Sequence, residues 1–296
     1  MRKMFIFIAC SLMMCLPIDS SLAANIGGAN LQHRVYENNE NNHNRVYFDL
    51  QNDQGEPITE NIVSNVRLFD PDNNEISFIE QNGDKIIFYD NYSNLYGRYD
   101  CTNGLWEYNT TFSNETYYVL KFLEALRNTG TYLLQVTLNN NDILSKNISI
   151  NTEIIDVPIV SSDSFYIRET TNGDIIMTWN IPDSTSNLPS SSARVFLEIF
   201  NNDQFMLSEL IVKVPTHMEY LFIPKETFDL FQNKLAELGN QLRLGVHIRT
   251  NDNHNRSYSN IIPYEEAETP NIDIDGDGKA GLQEAIYSLQ VISGTR

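Results

Sequence analysis

The sequence has little positive charge and few of the motifs that mark enzymes. Its 296 residues include 20 lysines and arginines against 39 aspartates and glutamates, which gives a formal net charge of −19 at pH 7. A nucleic-acid backbone requires an electropositive surface, so this charge argues against nucleic acid as a partner. The five histidines form no pair at metal-binding spacing, no phosphate-binding loop or serine-hydrolase motif occurs, and nothing marks two of the acids as a catalytic pair. We therefore expect a protein that is not an enzyme.

Long apolar runs are also scarce, and the one near the N-terminus predicts export. A charged start at Met1–Lys3 precedes the apolar run Met4–Leu16, and small residues follow in Ser21–Ala23. This is the pattern of a secretory signal peptide over residues 1–23. We expect a secreted protein that is extracellular, at the cell surface or periplasmic. No later run approaches the roughly 20 apolar residues of a membrane helix, so we expect no membrane span.

Cysteine is rare as well. Loss of residues 1–23 would remove Cys10 and Cys15 and leave Cys101 alone, so the mature chain could form no internal disulfide. Packing must then hold the core. Cys101 has no histidine or other base at suggestive spacing, which favours a buried or turn-adjacent thiol over a nucleophile.

Short β-rich runs separated by Asn, Asp and Gly turns predict a mainly β chain of two tandem antiparallel β-sandwich domains. In residues 25–157 the runs are Arg45–Leu50, Val66–Phe69, Lys85–Tyr89, Tyr117–Lys121 and Thr131–Leu138. Phe122–Leu126 is compatible with an added helical turn. Gly130 precedes a run in which apolar and polar residues alternate, as in the late strand of many bacterial immunoglobulin-like domains. This half therefore resembles an immunoglobulin-like sandwich.

The second half, residues 158–265, resembles a fibronectin type III domain. The matching segments are Asp174–Trp179 for the second strand with its core tryptophan, Ala193–Phe200 for the third, Leu242–Arg249 for the sixth and Tyr258–Asn260 for the last-strand signature. The sequence departs from the family at Leu242, where a tyrosine is usual. It also departs at residues 224–239, which predict an amphipathic helix with one apolar face formed by Phe228, Phe231, Leu235 and Leu238.

The two tryptophans are candidates for stacking on a sugar. Trp179 stands in a predicted strand between apolar neighbours, which predicts a core residue. Trp106 is compatible with either a core or a carbohydrate-binding face, because it lies in a tyrosine-rich segment. The tyrosines around it are Tyr92, Tyr96, Tyr99, Tyr108, Tyr117 and Tyr118.

The segment Asp273–Glu284 meets the pattern of an EF-hand calcium loop at every specified place. Calcium collects roughly six to eight oxygen ligands, so a short loop must turn its carboxylates towards one point. The predicted ligands are four side-chain carboxylates and one backbone carbonyl, from Asp273, Asp275, Asp277, Glu284 and Lys279. Gly278 permits the sharp turn, and Gly281 supplies no ligand at the ninth position, which lowers the expected affinity.

Residues 271–296 resemble an EF-hand and, more closely, the loop-plus-helix repeat of bacterial dockerin-like modules. The spacing of apolar residues over Leu282–Ile292 predicts a helix after the loop, whereas Thr269–Pro270 disfavours one before it. The resemblance implies calcium as the cofactor and, for a dockerin, a cohesin partner. Dockerins commonly carry aspartate where Glu284 stands, a difference that bears on docking and not on calcium binding.

Together these features predict a secreted, non-catalytic, calcium-binding modular protein with an adhesion or spacer role. One alternative is a dockerin-like docking subunit that binds a scaffold partner. Another is a carbohydrate-binding module. The expected partners are calcium and another extracellular protein or a glycan.

Overall fold

The computed structural model describes residues 23–38, 42–188 and 190–264. Most of the predicted signal peptide lies outside these residues. The predicted calcium segment 271–296 also lies outside them, including the five ligands Asp273, Asp275, Asp277, Lys279 and Glu284.

The described residues are mainly β, as predicted. The N-terminal half forms the strands β1 (Ala24–Tyr36), β2 (His43–Asn52), β3 (Val63–Phe69), β4 (Glu75–Ile76), β5 (Phe78–Ile79), β6 (Ile87–Asp100), β7 (Leu105–Tyr108), β8 (Ser113–Phe122), β9 (Gly130–Leu138) and β10 (Ile143–Ile150). The C-terminal half forms β11 (Tyr166–Glu169), β12 (Ile175–Thr178), β13 (Ser191–Asn201), β14 (Gln204–Pro215), β15 (Tyr220–Ile223), the helix α1 (Lys225–Leu238), β16 (Gln241–Thr250), β17 (Asn255–Tyr258) and β18 (Ile262–Pro263). Short 3₁₀ turns occupy Ser162–Ser164 and Asp183–Asn187.

The predicted helix is confirmed as α1, which buries Phe228 and Phe231. The predicted helical turn over Phe122–Leu126 is wrong, because Phe122 continues β8 and the following residues form a loop. Polar contacts hold that loop. The Asn44 side chain donates to the Glu124 carbonyl at 2.7 Å, and the Glu124 carboxylate accepts from the Ser77 amide at 3.0 Å.

The largest sheet closes into an eight-stranded barrel. Its order is β8-β2-β1-β17-β16-β13-β14-β6, and β6 pairs with β8 to complete the ring. Neighbouring strands are antiparallel except at two seams, where β1 pairs with β17 and β6 pairs with β14 in parallel. Each seam joins a strand of the N-terminal half to a strand of the C-terminal half.

This closure differs from the two tandem antiparallel sandwiches that the sequence predicted. Each half contributes four strands to the barrel, and both halves therefore share one sheet. An unpaired edge strand exposes a row of backbone hydrogen-bonding groups. At each seam, backbone groups of a strand from one half form hydrogen bonds with a strand from the other half.

Two hydrophobic cores lie outside the barrel wall. The N-terminal core lies between the barrel and the sheet β10-β9-β3-β4, and its fully buried residues include Leu31, Phe48, Tyr118 and Leu134. The C-terminal core lies between the barrel and the sheet β11-β12-β15 with α1, and its buried residues include Trp179, Val195, Phe231 and Leu244. Trp179 is 1% exposed, which confirms the predicted core position.

The chain passes from one core to the other near residue 155. Ile154 packs against the N-terminal core and Val157 belongs to the C-terminal core. Two earlier strands, β6 and β7, already contact the C-terminal half. Leu95 of β6 is buried in the C-terminal core, and the Tyr108 hydroxyl of β7 donates to the Phe222 carbonyl. The strands before the predicted boundary at residues 157 and 158 thus pack on both sides of it.

Alternation along the barrel strands separates core residues from cavity residues. In β13 the core side comprises Val195, Leu197 and Ile199, and the barrel interior receives Arg194, Phe196 and Glu198. In β1 the interior receives Asn30, Gln32, Arg34 and Tyr36. The interior is therefore lined by polar and charged side chains together with aromatic and aliphatic ones. No helix among the described residues has the length and apolar character to span a membrane.

Candidate functional site

The barrel encloses a cavity of about 630 Å³, to which every barrel strand contributes side chains. This volume lies within the roughly 300–1,000 Å³ typical of small-molecule sites. Two of its walls carry the charged residues, and each wall lies at one of the parallel seams.

Five arginines form the arginine wall, namely Arg34, Arg45, Arg194, Arg249 and Arg256. The β1–β17 seam places Arg34 beside Arg256, and the β16–β17 pairing places Arg256 beside Arg249. Side chains opposite one another on adjacent strands share a face of the sheet. Strand pairing therefore gathers cations from distant parts of the sequence.

None of these five arginines forms an ion pair with a carboxylate in residues 23–38, 42–188 or 190–264. The salt bridges in these ranges use other cations, namely His33, Arg67, Arg98, Arg127, Lys225, Lys234 and Arg243. The Nε atoms of Arg194, Arg249 and Arg256 are buried without a hydrogen-bond partner among the described residues. A buried charge is costly unless it is paired, so this wall is suited to an anion.

The hydrogen bonds that the wall does make go to neutral groups. Arg34 donates to the Gln32 side chain, and Arg45 donates to the His43 ring at 2.7 Å. Arg256 donates to the Tyr258 hydroxyl at 3.4 Å. These contacts orient the guanidinium groups without neutralising them.

His247 and Tyr258 lie within the arginine wall. His247 pairs in register with Arg194, is 9% exposed, and neither of its ring nitrogens has a hydrogen-bond partner in the described chain. Burial, followed by the charge of Arg256 and its neighbours, lowers the pKa of His247 well below its usual range, so the ring is neutral at neutral pH. Burial alone would raise the pKa of Tyr258, but the charges of Arg34 and Arg256 lower it below its ordinary value.

The carboxyl wall lies at the β6–β14 seam and comprises Glu115, Glu198 and Glu209 with Tyr92 and Tyr96. Glu198 and Glu209 stand opposite one another on β13 and β14, so both side chains lie on the face that lines the cavity. The Tyr92 hydroxyl donates to Glu209, and the Tyr96 hydroxyl donates to Glu115. Two carboxyl groups of this wall thus have hydrogen-bond donors within the protein.

The Glu198–Glu209 pair retains a proton near neutral pH. Burial, followed by the charge of Glu209, raises the pKa of Glu198 well above its ordinary value. Burial also raises the pKa of Glu209 to about 7.

The sequence-predicted calcium ligands lie outside the described residues. Within the described ranges, no group of three or more His, Cys, Asp or Glu residues could hold a metal ion. Cys101 is exposed in the turn between β6 and β7, in agreement with the turn-adjacent interpretation.

The aromatic residues near Trp106 divide among three environments and form no single exposed face. Tyr92, Tyr96 and Tyr117 line the cavity, and Tyr118 is fully buried in the N-terminal core. Trp106 packs at the margin of the C-terminal core, edge to face with Tyr99 at 5.0 Å and Tyr220 at 5.8 Å.

Sequence reasoning missed both walls and the whole of β1. β1 contains adjacent glycines and many polar residues, which weaken its strand signal. A Cβ at Gly27 would lie 2.3 Å from the ends of the Asp49 and Gln51 side chains, which would have to move to admit it. The available signal was alternation, because Arg243, His247 and Arg249 lie on one side of β16 and apolar residues lie on the other.

Comparisons with known proteins add little. No family model matches the sequence, and no similar curated protein is found. Among solved structures, the FN1–FN3 domains of chicken CNTN1 align with 81% of this chain at 11% identity and a TM-score of 0.26. The chain spans 64% of that protein chain. At this TM-score the alignment does not establish a shared fold.

Proposed function

We propose that this chain is a secreted, non-catalytic protein that binds an anionic ligand in the barrel cavity. The supporting observation is the arginine wall, whose five guanidinium groups face the cavity without a carboxylate partner in the described residues. Arginine presents several fixed donors and binds carboxylate, phosphate or sulfate groups well. A bound anion would supply the missing counter-charge.

The cationic character extends beyond the arginine wall. Burial, followed by the charges of Arg45 and Arg34, lowers the pKa of Lys121 to about 8. Burial and the charges of Arg249 and Arg194 also lower the pKa of Lys213. The cavity arginines thus act on half-buried Lys121 and on exposed Lys213, in a chain whose net charge is −19. This arrangement favours a specific interior site over adsorption of anions on the surface.

The cavity favours a binding role over a spacer role, because a spacer has no need of enclosed unpaired charge. We retain two sequence-based proposals beside it. The loop Asp273–Glu284 binds calcium, and the two halves are related to immunoglobulin-like and fibronectin type III sandwiches. A hydrophobic core between two sheets in each half supports the second of these.

Calorimetric titration with sulfate, phosphate and propane-1,2,3-tricarboxylate tests anion binding. We expect at least one of these anions to bind the wild-type protein, and Arg249→Gln to weaken that binding at least tenfold. Arg249 is suitable because its Nε has no partner in the described chain, so its replacement breaks no internal bond at that atom.

Arg168→Gln is the matched control, because Arg168 is exposed on β11 and does not line the cavity. We expect it to bind these anions as the wild type does. Absence of binding by all three anions, or equal weakening by both variants, would contradict the proposal.

A further inference from the structure

The cavity contains unpaired hydrogen-bond acceptors as well as unpaired cations. The side-chain oxygens of Asn30 and Asn253 are buried, have no partner among the described residues, and belong to residues that line the cavity. An amide oxygen only accepts hydrogen bonds, so it requires a donor. Sulfate is an acceptor without hydrogens to donate. A ligand that satisfies the whole cavity must therefore carry both anionic oxygens and hydrogen-bond donors.

The carboxyl wall adds further acceptors on the other side. Glu115 and Glu209 each accept a hydrogen bond from one tyrosine hydroxyl, which leaves acceptor capacity on both carboxyl groups. A ligand ammonium group would need a fully ionised carboxylate. Because Glu198 and Glu209 stand opposite one another and hold a proton between them, neutral hydroxyl donors suit this pair better.

Flat aromatic rings lie beside both walls. Tyr36 and Tyr258 stack at 5.0 Å beside the arginines, and Tyr89 and Tyr117 stack at 4.8 Å beside the carboxyl wall. A tyrosine combines an apolar ring with a polar hydroxyl. Tyr36 also stacks on His43, and Arg34 lies over the Tyr258 ring, so these rings offer their edges and hydroxyl groups to a ligand.

We infer that the ligand is an acidic carbohydrate, whose anionic group lies at the arginine wall and whose hydroxyl groups reach Asn30, Asn253 and the carboxyl wall. This inference rests on the proposed anion-binding function. It differs from a simple anion site in requiring the sugar hydroxyls, and from a zwitterion site in requiring no ligand cation.

An array of uronate, sialylated and sulfated glycans beside their neutral parents tests the ligand class. We expect the purified protein to retain acidic glycans, with binding to each neutral parent at least tenfold weaker. Titration calorimetry then compares the best-retained glycan with propane-1,2,3-tricarboxylate, which has carboxylates and no hydroxyls. We expect the glycan to bind at least tenfold more tightly.

Asn253→Leu separates the two parts of the site, because leucine has nearly the same shape as asparagine and accepts no hydrogen bond. We expect about tenfold weaker glycan binding with unchanged binding of the tricarboxylate, whereas Arg249→Gln weakens both. Asn65→Leu, on an exposed position of β3, is the control and should change neither. Unfolding curves establish that each variant is folded.

The outcomes distinguish this inference from the proposed function. If no acidic glycan is retained while Arg249→Gln still weakens tricarboxylate binding, the carbohydrate inference is wrong and anion binding stands. Retention of amino-acid-like zwitterions in place of glycans also overturns it. If acidic glycans and their neutral parents bind equally, and Arg249→Gln changes neither, both proposals are wrong.

Discussion

The arginine wall and the carboxyl wall face the same cavity but differ in the hydrogen-bond partners of their charged groups. In the carboxyl wall, Glu209 accepts a hydrogen bond from Tyr92, and Glu115 accepts one from Tyr96. In the arginine wall, Arg194 and Arg249 have buried nitrogens with no partner in the described chain. The carboxyl groups thus have donors within the protein, whereas these two guanidinium groups keep unpartnered donors.

This difference separates a structural role from a binding role. Removing one partner from a satisfied polar cluster leaves the other unpaired and costs stability. Removing an unpaired buried charge relieves a cost that the folded protein already bears. Substitutions in the two walls should therefore change stability in opposite directions.

The largest expected effect is on ligand affinity in the double variant Arg194→Gln/Arg249→Gln. We expect about 100-fold weaker anion binding, which corresponds to about 2.7 kcal/mol. Without ligand, the free energy of unfolding should rise by about 1 kcal/mol, because two like charges leave the barrel interior. Titration calorimetry and urea unfolding measure the two effects. A loss of stability would show that these guanidinium groups are partnered within the folded protein.

The next effect concerns pH and Glu209. Its folded-state pKa of about 7 lies above its ordinary value of 4.5. Between these values the folded protein holds a proton that the unfolded chain has lost, so stability falls as pH rises from about 4.5 to about 7. We expect Glu209→Gln to reduce this fall by about 2.5 kcal/mol between pH 5 and pH 8, because about two pH units between the two pKa values contribute about 1.4 kcal/mol each.

Urea unfolding at pH 5 and pH 8 checks this expectation. Exposed Glu80 is the control position, and Glu80→Gln should retain the wild-type dependence. Anion affinity should also fall in the wild type as pH rises through about 7, because the cavity gains a negative charge. A wild-type pH dependence in Glu209→Gln would show that this carboxyl is not the titrating group.

A smaller effect is expected for Tyr92→Phe, which removes the hydroxyl that donates to Glu209. The lost hydrogen bond should lower the free energy of unfolding by about 1–2 kcal/mol and raise the pKa of Glu209 further. Tyr89→Phe is the control, because Tyr89 lines the same cavity and its hydroxyl makes no hydrogen bond in the described residues. Equal losses in the two variants would mean that the carboxyl wall does not depend on this donor.

The smallest effect on the cavity should come from the predicted calcium loop. We expect Asp273→Ala/Glu284→Ala to abolish calcium binding, because the variant removes the first and last ligands of the loop. Anion affinity should stay within a factor of about two of the wild type, because the variant changes none of the described residues that line the cavity. Calorimetric titrations with calcium and with the tricarboxylate measure both. Unchanged calcium binding in this variant would reject the loop as the site.

Local pattern predicted several elements correctly. The spacing of Phe228 and Phe231 indicated α1, and apolar neighbours placed Trp179 in a core. Both features depend on residues close together in the sequence. Local pattern was wrong for Phe122–Leu126, where hydrogen bonds from Asn44 and Ser77 favour a loop over a helical turn.

The sequence by itself determined the alternation that gives each barrel strand one apolar and one polar side. Such alternation does not distinguish a polar side that faces solvent from one that faces an enclosed cavity, because both tolerate charge. Only the tertiary structure decided this, through parallel pairing of β1 with β17 and of β6 with β14. Those pairings join distant segments, and they turn the polar sides of both halves inward as the two walls of one cavity.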